Sequence, residues 1–343
     1  MKKYDRALVI GKFQPLHKGH LALIDFAATQ AETVMVCATA HEGEVIPLNQ
    51  RVRWLNESYA QNNSVAVHGL SYDPNRLNAS SVSDLKSSEE WADYLKTALE
   101  DFSGIDVIVG SELYVKYMAD YLGISYVIYD EKRERMPISA TAIKGDIIRY
   151  WDYLSPAAKR TYVRHICICG SESTGKSTVC KRIEEEYGFV TMIPEIGRCL
   201  VGKSALCEVE TLKKIFSIHH ELLTAVKNDP PTPIILWDTD NITTLSYLTF
   251  LHTQHEAVLH EVMGERKAVL ADKYFFFEPN IAFHDDGTRF DPTEARLLSD
   301  HHKSMYAGFG IVPEEVTSER RCEVVRQHIL REVEQLKYTF EIS

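Results

Sequence analysis

One eight-residue string, Gly170-Ser171-Glu172-Ser173-Thr174-Gly175-Lys176-Ser177, constrains the fold of this chain more than any other feature. It fits G-x-x-x-x-G-K-[ST], the pattern of a phosphate-binding loop between a strand and a helix. Such a loop turns backbone N–H groups toward phosphates, sends its lysine to the β- and γ-phosphates and offers the last hydroxyl to magnesium. With glycine near 7% of residues, a chance match in a chain of this length is on the order of one per cent. The flanks lower it further: the apolar run His165-Ile166-Cys167-Ile168-Cys169 reads as a buried strand, and a helical pattern follows the motif. Lys176 is therefore expected to be catalytic. Gly170, Glu172, Ser173, Thr174, Gly175, Ser177 and Thr178 are expected to surround ATP.

A loop of this kind works with a carboxylate at the end of a neighbouring strand. Ile234-Ile235-Leu236-Trp237-Asp238-Thr239-Asp240 supplies one. Asp238, with Ser177, is expected to serve Mg2+ by holding its water shell, or to take the proton of an attacking hydroxyl. Asp240 is expected to bind a ribose diol. Downstream, His284-Asp285-Asp286-Gly287-Thr288-Arg289 reads as an acidic–basic loop. Arg289 would stabilise the transferring phosphoryl charge, and Asp285 and Asp286 would meet substrate, although both aspartates also suit a plain turn before glycine. The histidine pairs His219-His220, His252-x-x-His255 and His301-His302 lack acidic or cysteine partners at ligand spacing. They are expected on helix surfaces or in the core rather than on a metal.

A second corner lies near the N-terminus, in Gly11-Lys12-Phe13-Gln14-Pro15-Leu16-His17-Lys18-Gly19-His20. It too follows an apolar strand and opens a helix, the edge of a doubly wound sheet where ligands bind. His17 and His20 can point imidazole N–H groups at one phosphate, Gly19 permits close backbone approach, and the helix N-terminus adds partial positive charge. Nucleotidyl transfer needs positioning and charge stabilisation at the α-phosphate and the leaving pyrophosphate. His17, His20, Lys12 and a magnesium ion suit that chemistry, with Gly11, Phe13 and Gly19 forming the nucleotide cradle. The segment resembles the G-K-F-x-P-x-H-x-G-H signature of the HxGH nucleotidylyltransferase superfamily.

Length and charge bound the rest. At 343 residues, with 45% hydrophobic and 25% charged residues, the chain suits two globular domains. No apolar run reaches the ~18–20 residues that span a bilayer, and the N-terminus lacks a signal-peptide pattern. A cytoplasmic protein, without membrane association, is expected. The net charge of −11, without a Lys/Arg cluster, argues against nucleic-acid binding. The chain starts at once with its first strand, so no helix-turn-helix module is expected before it. Seven cysteines without paired spacing do not suggest a disulfide framework, and Cys167 and Cys169 read as buried strand positions. A homo-oligomer is possible, because nothing in the sequence decides assembly.

Apolar runs at 7–10, 34–38, 65–68, 106–109 and 126–129 read as strands, with helices at 20–31 and 112–122. Ser87 and Glu90 read as a capping box before a helix to about residue 101. Ser155-Pro156 reads as the start of a short connecting helix. A second series of strands follows at 166–169, 190–193, 234–237 and 274–277, and an amphipathic helix closes the chain at 318–336. Strands alternating with helices imply parallel sheets. The expected class is α/β: two doubly wound parallel-sheet domains, 1–150 and 165–343, joined by a connecting helix at 151–164.

Further strings extend the resemblance. Pro137-Ile138-Ser139-Ala140-Thr141-Ala142-Ile143-Lys144 resembles the I-S-x-T-x-x-R motif of the nucleotidylyltransferases, in which the serine, backbone amides and arginine grip the β- and γ-phosphates. That resemblance implies nucleotide binding by Ser139, Thr141 and Lys144. Lys144 stands where the motif has arginine, keeping the charge without the bidentate fork. Arg133 matches a basic position of related sequences. Together with Arg51-x-Arg53-Trp54, Tyr150-Trp151, Pro194-Glu195-x-Gly197-Arg198 and Asp238-Thr239-Asp240-x-Ile242-Thr243-Thr244, these strings are similar to the bifunctional NadR family across nearly the whole chain. The resemblance implies ribosylnicotinamide kinase activity in the C-terminal domain and nicotinamide mononucleotide (NMN) adenylyltransferase activity in the N-terminal one. ATP would be co-substrate of both, and Glu195 and Arg198 would lie near the kinase substrate. Enteric members carry an additional DNA-binding repressor domain, so transcriptional regulation is not implied here. A flavin- or pantetheine-pathway enzyme pairing the same chemistries, or a nucleotide sensor with a degenerate first domain, would share many of these features.

Overall fold

The computed structural model describes residues 2–79, 84–99, 102–201, 207–252, 255–264, 267–279, 291–317 and 319–340, with main chain alone at 255, 256, 258, 261 and 292. The chain separates into two compact units: Met1–Thr161 with Leu336–Ser343, and Tyr162–Gln335. The expected site residues Asp285, Asp286 and Arg289 lie outside the described residues.

The first unit runs β1 (Tyr4–Gly11), α1 (Lys18–Gln30), β2 (Ala31–Ala40), α2 (Leu48–Ser58), β3 (Val65–Ser71), α3 (Leu85–Ala98), β4 (Val107–Gly110), α4 (Tyr114–Leu122), β5 (Ser125–Ile128), α5 (Ala140–Gly145) and α6 (Pro156–Tyr162). Its strands lie in the order β3-β2-β1-β4-β5, all parallel. β1 is central because it is the most apolar: Ala7, Leu8, Val9 and Ile10 are all buried. Leu8 and Ile10 pack with Met35, Trp91, Leu95, Ile108 and Met118. Each such large side chain contributes roughly 2 kcal/mol on burial.

The second unit repeats the plan with β6 (Arg164–Cys169), α7 (Lys176–Glu186), β7 (Val190–Ile193), α8 (Gly197–Leu200), α9 (Val209–Asn228), β8 (Ile234–Asp238), α10 (Asn241–Leu251), α11 (His255–Met263), β9 (Lys273–Phe277), α12 (Pro292–Gly308), β10 (Glu314–Val316) and α13 (Arg321–Tyr338). The order is β10-β9-β6-β8-β7, again all parallel. Cys167 and Cys169 are buried in β6. Ile168 pairs with Asp238, which sets the carboxylate beside the strand end that leads into Gly170.

Three local details differ from the sequence expectation. Asp84, not Ser87, caps α3: its carboxylate accepts from the Ser87 N–H at 2.9 Å and the Ser87 hydroxyl at 2.6 Å. β10 was not expected, since three residues with two glutamates carry no strand signal. The first unit reaches Thr161, because Leu154 pairs with His17 and the Trp54 indole N–H donates to Thr161 Oγ1 at 2.9 Å. Ser155 caps α6 as the Ser-Pro signal implies, its hydroxyl accepting from the Ala158 N–H at 3.1 Å.

Candidate active sites

β1 has β2 on one side and β4 on the other, so the loop leaving it opens at a topological switch point. His17 is the N-cap of α1, and its Nδ1 accepts from the Gly19 N–H at 3.1 Å. A ring nitrogen that accepts carries no proton, so the neutral His17 imidazole holds its proton on Nε2. Burial pushes the ring down to about 4, and Arg133 acts in the same direction. His20 is driven well below its ordinary value by the same cause, with His17 and Arg133 adding to it. The two rings stack with centroids 3.7 Å apart, and Phe13 sets its edge against His20 at 5.0 Å. A side chain at position 19 would meet Cε1 and Nδ1 of His17 at 3.0 Å, which is why glycine stands there. Both histidines are thus neutral donors pressed together under a loop.

This loop walls a cavity of about 360 Å³, within the usual range for small-ligand sites. All ten residues expected at the first site line it: Gly11, Lys12, Phe13, His17, Gly19, His20, Arg133, Ser139, Thr141 and Lys144. Ser139 caps α5, its hydroxyl accepting from the Ala142 N–H at 3.1 Å, and Lys144 sits in the last turn of that helix. Arg133 lies 3.7 Å from the Glu112 carboxylate. Glu112, Tyr129 and Asp130 also line the cavity and had no sequence motif to mark them.

The second site surrounds the loop after β6, itself flanked by β8 and β9. Gly170 has φ +128°, and a Cβ there would stand 2.5 Å from the Phe277 carbonyl oxygen, so only glycine fits. Gly175, at φ 84°, caps α7 without any side-chain bond, leaving the helix N–H groups free for an anion. Lys176 Nζ donates to the Ser171 carbonyl at 2.7 Å, and the Thr174 hydroxyl to the same oxygen at 2.9 Å. Arg321, buried at the start of α13, donates to the carbonyls of Thr174, at 3.1 Å, and Glu278. It ties down the loop, and no sequence pattern marked it. Ser177 Oγ and Asp238 Oδ1 are buried without a close hydrogen-bond partner, and the Ser177 hydroxyl faces the Asp238 carboxylate. A hydroxyl and a carboxylate oxygen left open beside a phosphate loop fit a divalent cation. Burial raises the Asp238 carboxyl, Lys176 opposing it.

Beside this loop is a cavity of about 340 Å³. Of the residues expected at the second site it brings together Glu172, Ser173, Lys176, Glu195 and Arg198; Glu195 Oε2 accepts from Arg198 Nε at 2.7 Å. Gly170, Thr174, Gly175, Ser177 and Asp238 do not line it, and Thr178 is exposed on α7. Asp240 does not line this cavity: it is fully buried as the N-cap of α10, its Oδ1 accepting from the Thr243 N–H at 3.0 Å and the Tyr306 hydroxyl at 2.7 Å, with Oδ2 unpartnered. The cavity's apolar wall comes from Val201, Leu212, Ile215 and Tyr247, which sequence reasoning missed. His219 is also there: 1% exposed, its Nε2 unpartnered, and lowered to about 4 by burial. His301 and His302 instead face Thr249 and Ser246 hydroxyls, at 2.7 Å each.

Among the described residues, five non-glycine positions have positive φ: Phe13, Asp130, Arg133, Ser173 and Thr239. The first three line the first cavity and the last two the second. Each such conformation costs on the order of 1–3 kcal/mol, and strain of this kind collects where geometry serves a site.

The family model described as AAA domain matches residues 165–321. The trifunctional NAD biosynthesis/regulator protein NadR of Escherichia coli (strain K12) is 26% identical over 313 residues, covering 84% of this chain and 72% of that protein. The Salmonella typhimurium protein of the same name is 25% identical over 306 residues, covering 82% and 71%. Nicotinamide-nucleotide adenylyltransferase of Aeropyrum pernix is 32% identical over 126 residues, covering 34% of this chain and 64% of that one. A NadR protein solved in complex with NR shares the fold at TM-score 0.54 and 18% identity, covering 98% of each chain. One with NAD and AMP-PNP gives 0.55 at 18% identity, covering 98% of this chain and 97% of that one. Among the described residues, no helix is long and apolar enough to cross a membrane.

Proposed function

We propose, from the premise that this chain is homologous to the NadR proteins over most of its length, that it makes NAD from ribosylnicotinamide in two ATP-dependent steps. The observation that carries this reading is the pair of cavities, each at the open edge of its own sheet and each walled by a different phosphate-gripping corner.

In the second unit the ribose 5′-hydroxyl oxygen of ribosylnicotinamide attacks the γ-phosphorus of ATP. The bond from that phosphorus to the bridging oxygen breaks, ADP leaves, and Asp238 takes the hydroxyl proton. A raised carboxyl suits a proton acceptor better than an ordinary one. Lys176 and the amides at the start of α7 hold the phosphates. Ser177 would hold Mg2+, with Asp238 at most ordering its water shell, and the ion when bound would neutralise phosphate charge. The apolar wall receives the base, and Glu195, Arg198 and His219 supply its polar contacts.

In the first unit an oxygen of the NMN phosphate attacks the α-phosphorus of a second ATP, and pyrophosphate leaves as NAD forms. His17 and His20 donate N–H groups to the phosphate oxygens as charge builds. Lys12, Arg133 and Lys144 hold the departing pyrophosphate, and Ser139 sets α5 so that its amides assist. With seven unbridged cysteines the enzyme suits the reducing cytosol.

Pure protein given ribosylnicotinamide, ATP and Mg2+ should accumulate NMN and then NAD, followed by chromatography. NMN without NAD, even from supplied NMN, would reassign the first unit as a nucleotide-binding module. Phosphorylation of riboflavin in preference to ribosylnicotinamide would move the enzyme to another cofactor pathway.

A further inference from the structure

Behind the first cavity stands a guanidinium with no solvent exposure. Arg51, on α2, donates from Nη2 to Glu44 Oε2 at 2.6 Å, from Nε to the Ile46 carbonyl at 2.8 Å, and from Nη1 to the carbonyls of Thr39 at 2.7 Å and Lys12 at 3.1 Å. A buried arginine is tolerated only when its donors are met in this way. The bonds join the end of β2, the loop before α2 and the loop after β1 around one planar group. Glu44 is left with one outward oxygen, Oε1, and Lys12 Nζ sits 2.9 Å from it. His41 Nε2 approaches the same oxygen at 3.6 Å. The cluster of Lys12, Glu44 and Arg51 keeps one net positive charge, so the carboxylate does not cancel the field a triphosphate would meet.

We propose that Glu44, fixed by buried Arg51, is a positioning residue that sets Lys12 Nζ for adenylyl transfer. A lysine on a free four-carbon stem samples many rotamers, and each productive encounter must select one. An anchored ammonium is ready when ATP arrives, which is the benefit of pre-organised groups in charge stabilisation. The inference rests on the reading of the first unit as an adenylyltransferase.

The test is a kinetic cycle on the full chain: wild type, Glu44→Gln, Lys12→Ala and the double variant, with supplied NMN. Glu44→Gln should lower kcat for NAD formation about tenfold, with KM for ATP moving less than kcat. It should add nothing in the Lys12→Ala background. Ribosylnicotinamide phosphorylation by the same molecules should stay at the wild-type rate, which reports an intact second unit, and an unchanged urea midpoint of the first unit reports that it too is folded. Additive losses in the double variant, or unchanged or raised kcat in Glu44→Gln alone, would overturn the proposal. If Glu44→Gln does not fold, Glu44→Asp decides: it keeps the charge against Arg51 and shortens the reach to Lys12. An intermediate kcat supports positioning, and a wild-type kcat contradicts it. Failure of wild type to make NAD from NMN would instead sink the reading beneath it.

Discussion

The two units solve one problem, gripping a triphosphate at the corner after a central parallel strand, with different parts. The corner after β1 uses side chains. Two neutral, stacked histidines sit under the helix start, and the N-cap itself is a histidine. The corner after β6 uses backbone. Its N-cap is a glycine in a left-handed conformation, no side chain caps the helix, and one lysine supplies the charge. Attack at the α-phosphorus breaks its bond to the α,β-bridging oxygen and expels the terminal pyrophosphate, so donors must reach both the reacting atom and the leaving group. Attack at the γ-phosphorus leaves ADP in place, so a preset backbone cradle suffices. What differs is where geometric tolerance lies: imidazoles can shift, while a peptide loop cannot.

The largest expected effect follows from that difference. Gly170→Ala places a methyl 2.5 Å from the Phe277 carbonyl at a φ that alanine avoids. Kinase activity should be lost, and the second unit should lose at least about 2 kcal/mol in urea unfolding. Gly19→Ala meets only an imidazole at 3.0 Å. It should cost adenylyl transfer about tenfold and stability under about 1 kcal/mol. Equal damage by both would break the comparison.

Next comes the acceptor wall. His219→Ala removes a buried, unpartnered imidazole from the wall of the second cavity. The KM for ribosylnicotinamide should rise about tenfold, with adenylyl transfer untouched; an unchanged KM would return His219 to the core.

Acid should weaken both units by the same chemistry. His17 and His219 sit near 4 when folded, and His302 near 3, against about 6.5 in an open chain. The unfolded chain therefore takes up protons first. These groups cost nothing above pH 6.5, and stability falls as pH drops from there toward 4, by up to about 1.4 kcal/mol per pH unit for each group. Urea midpoints at pH 7, 5.5 and 4.5 should decline in that order, and a flat profile would contradict buried neutral histidines.

The smallest effect sharpens the first site. Lys144→Arg should raise adenylyl transfer a few-fold by restoring a bidentate grip. An unchanged or lower rate would mean that the ammonium already fits.

Both corners were legible because a phosphate grip is local: its residues lie within ten positions along one strand–loop–helix. Six of the residues expected at the first site, Gly11, Lys12, Phe13, His17, Gly19 and His20, come from one such string, and Arg133, Ser139, Thr141 and Lys144 meet them in the same cavity from a second string far along the chain. Legibility fails where a role depends on chain-distant packing. Asp240 read as a sugar ligand, yet Asp240-Asn241-Ile242-Thr243 is also an N-cap pattern, and the bond from the Tyr306 hydroxyl, 66 positions away, had no sequence signal. His219 read as a helix-surface or core residue, and nothing in the sequence said that α9 would bury it in the wall of the second cavity. Glu44 and Arg51 are seven residues apart, and nothing in their spacing announces that one carboxylate oxygen would be left for Lys12. Arg321 opens an ordinary amphipathic helix, and its bond to Thr174 spans 147 positions.

The most direct test is the crossed assay of Lys176→Ala and His20→Ala, each scored for NMN formation from ribosylnicotinamide and for NAD formation from supplied NMN. Lys176→Ala should lose about 10³-fold in the first activity and keep the second, and His20→Ala should do the reverse, with a loss of about 10²-fold. Equal loss of both activities in either variant would contradict two independent corners in one chain.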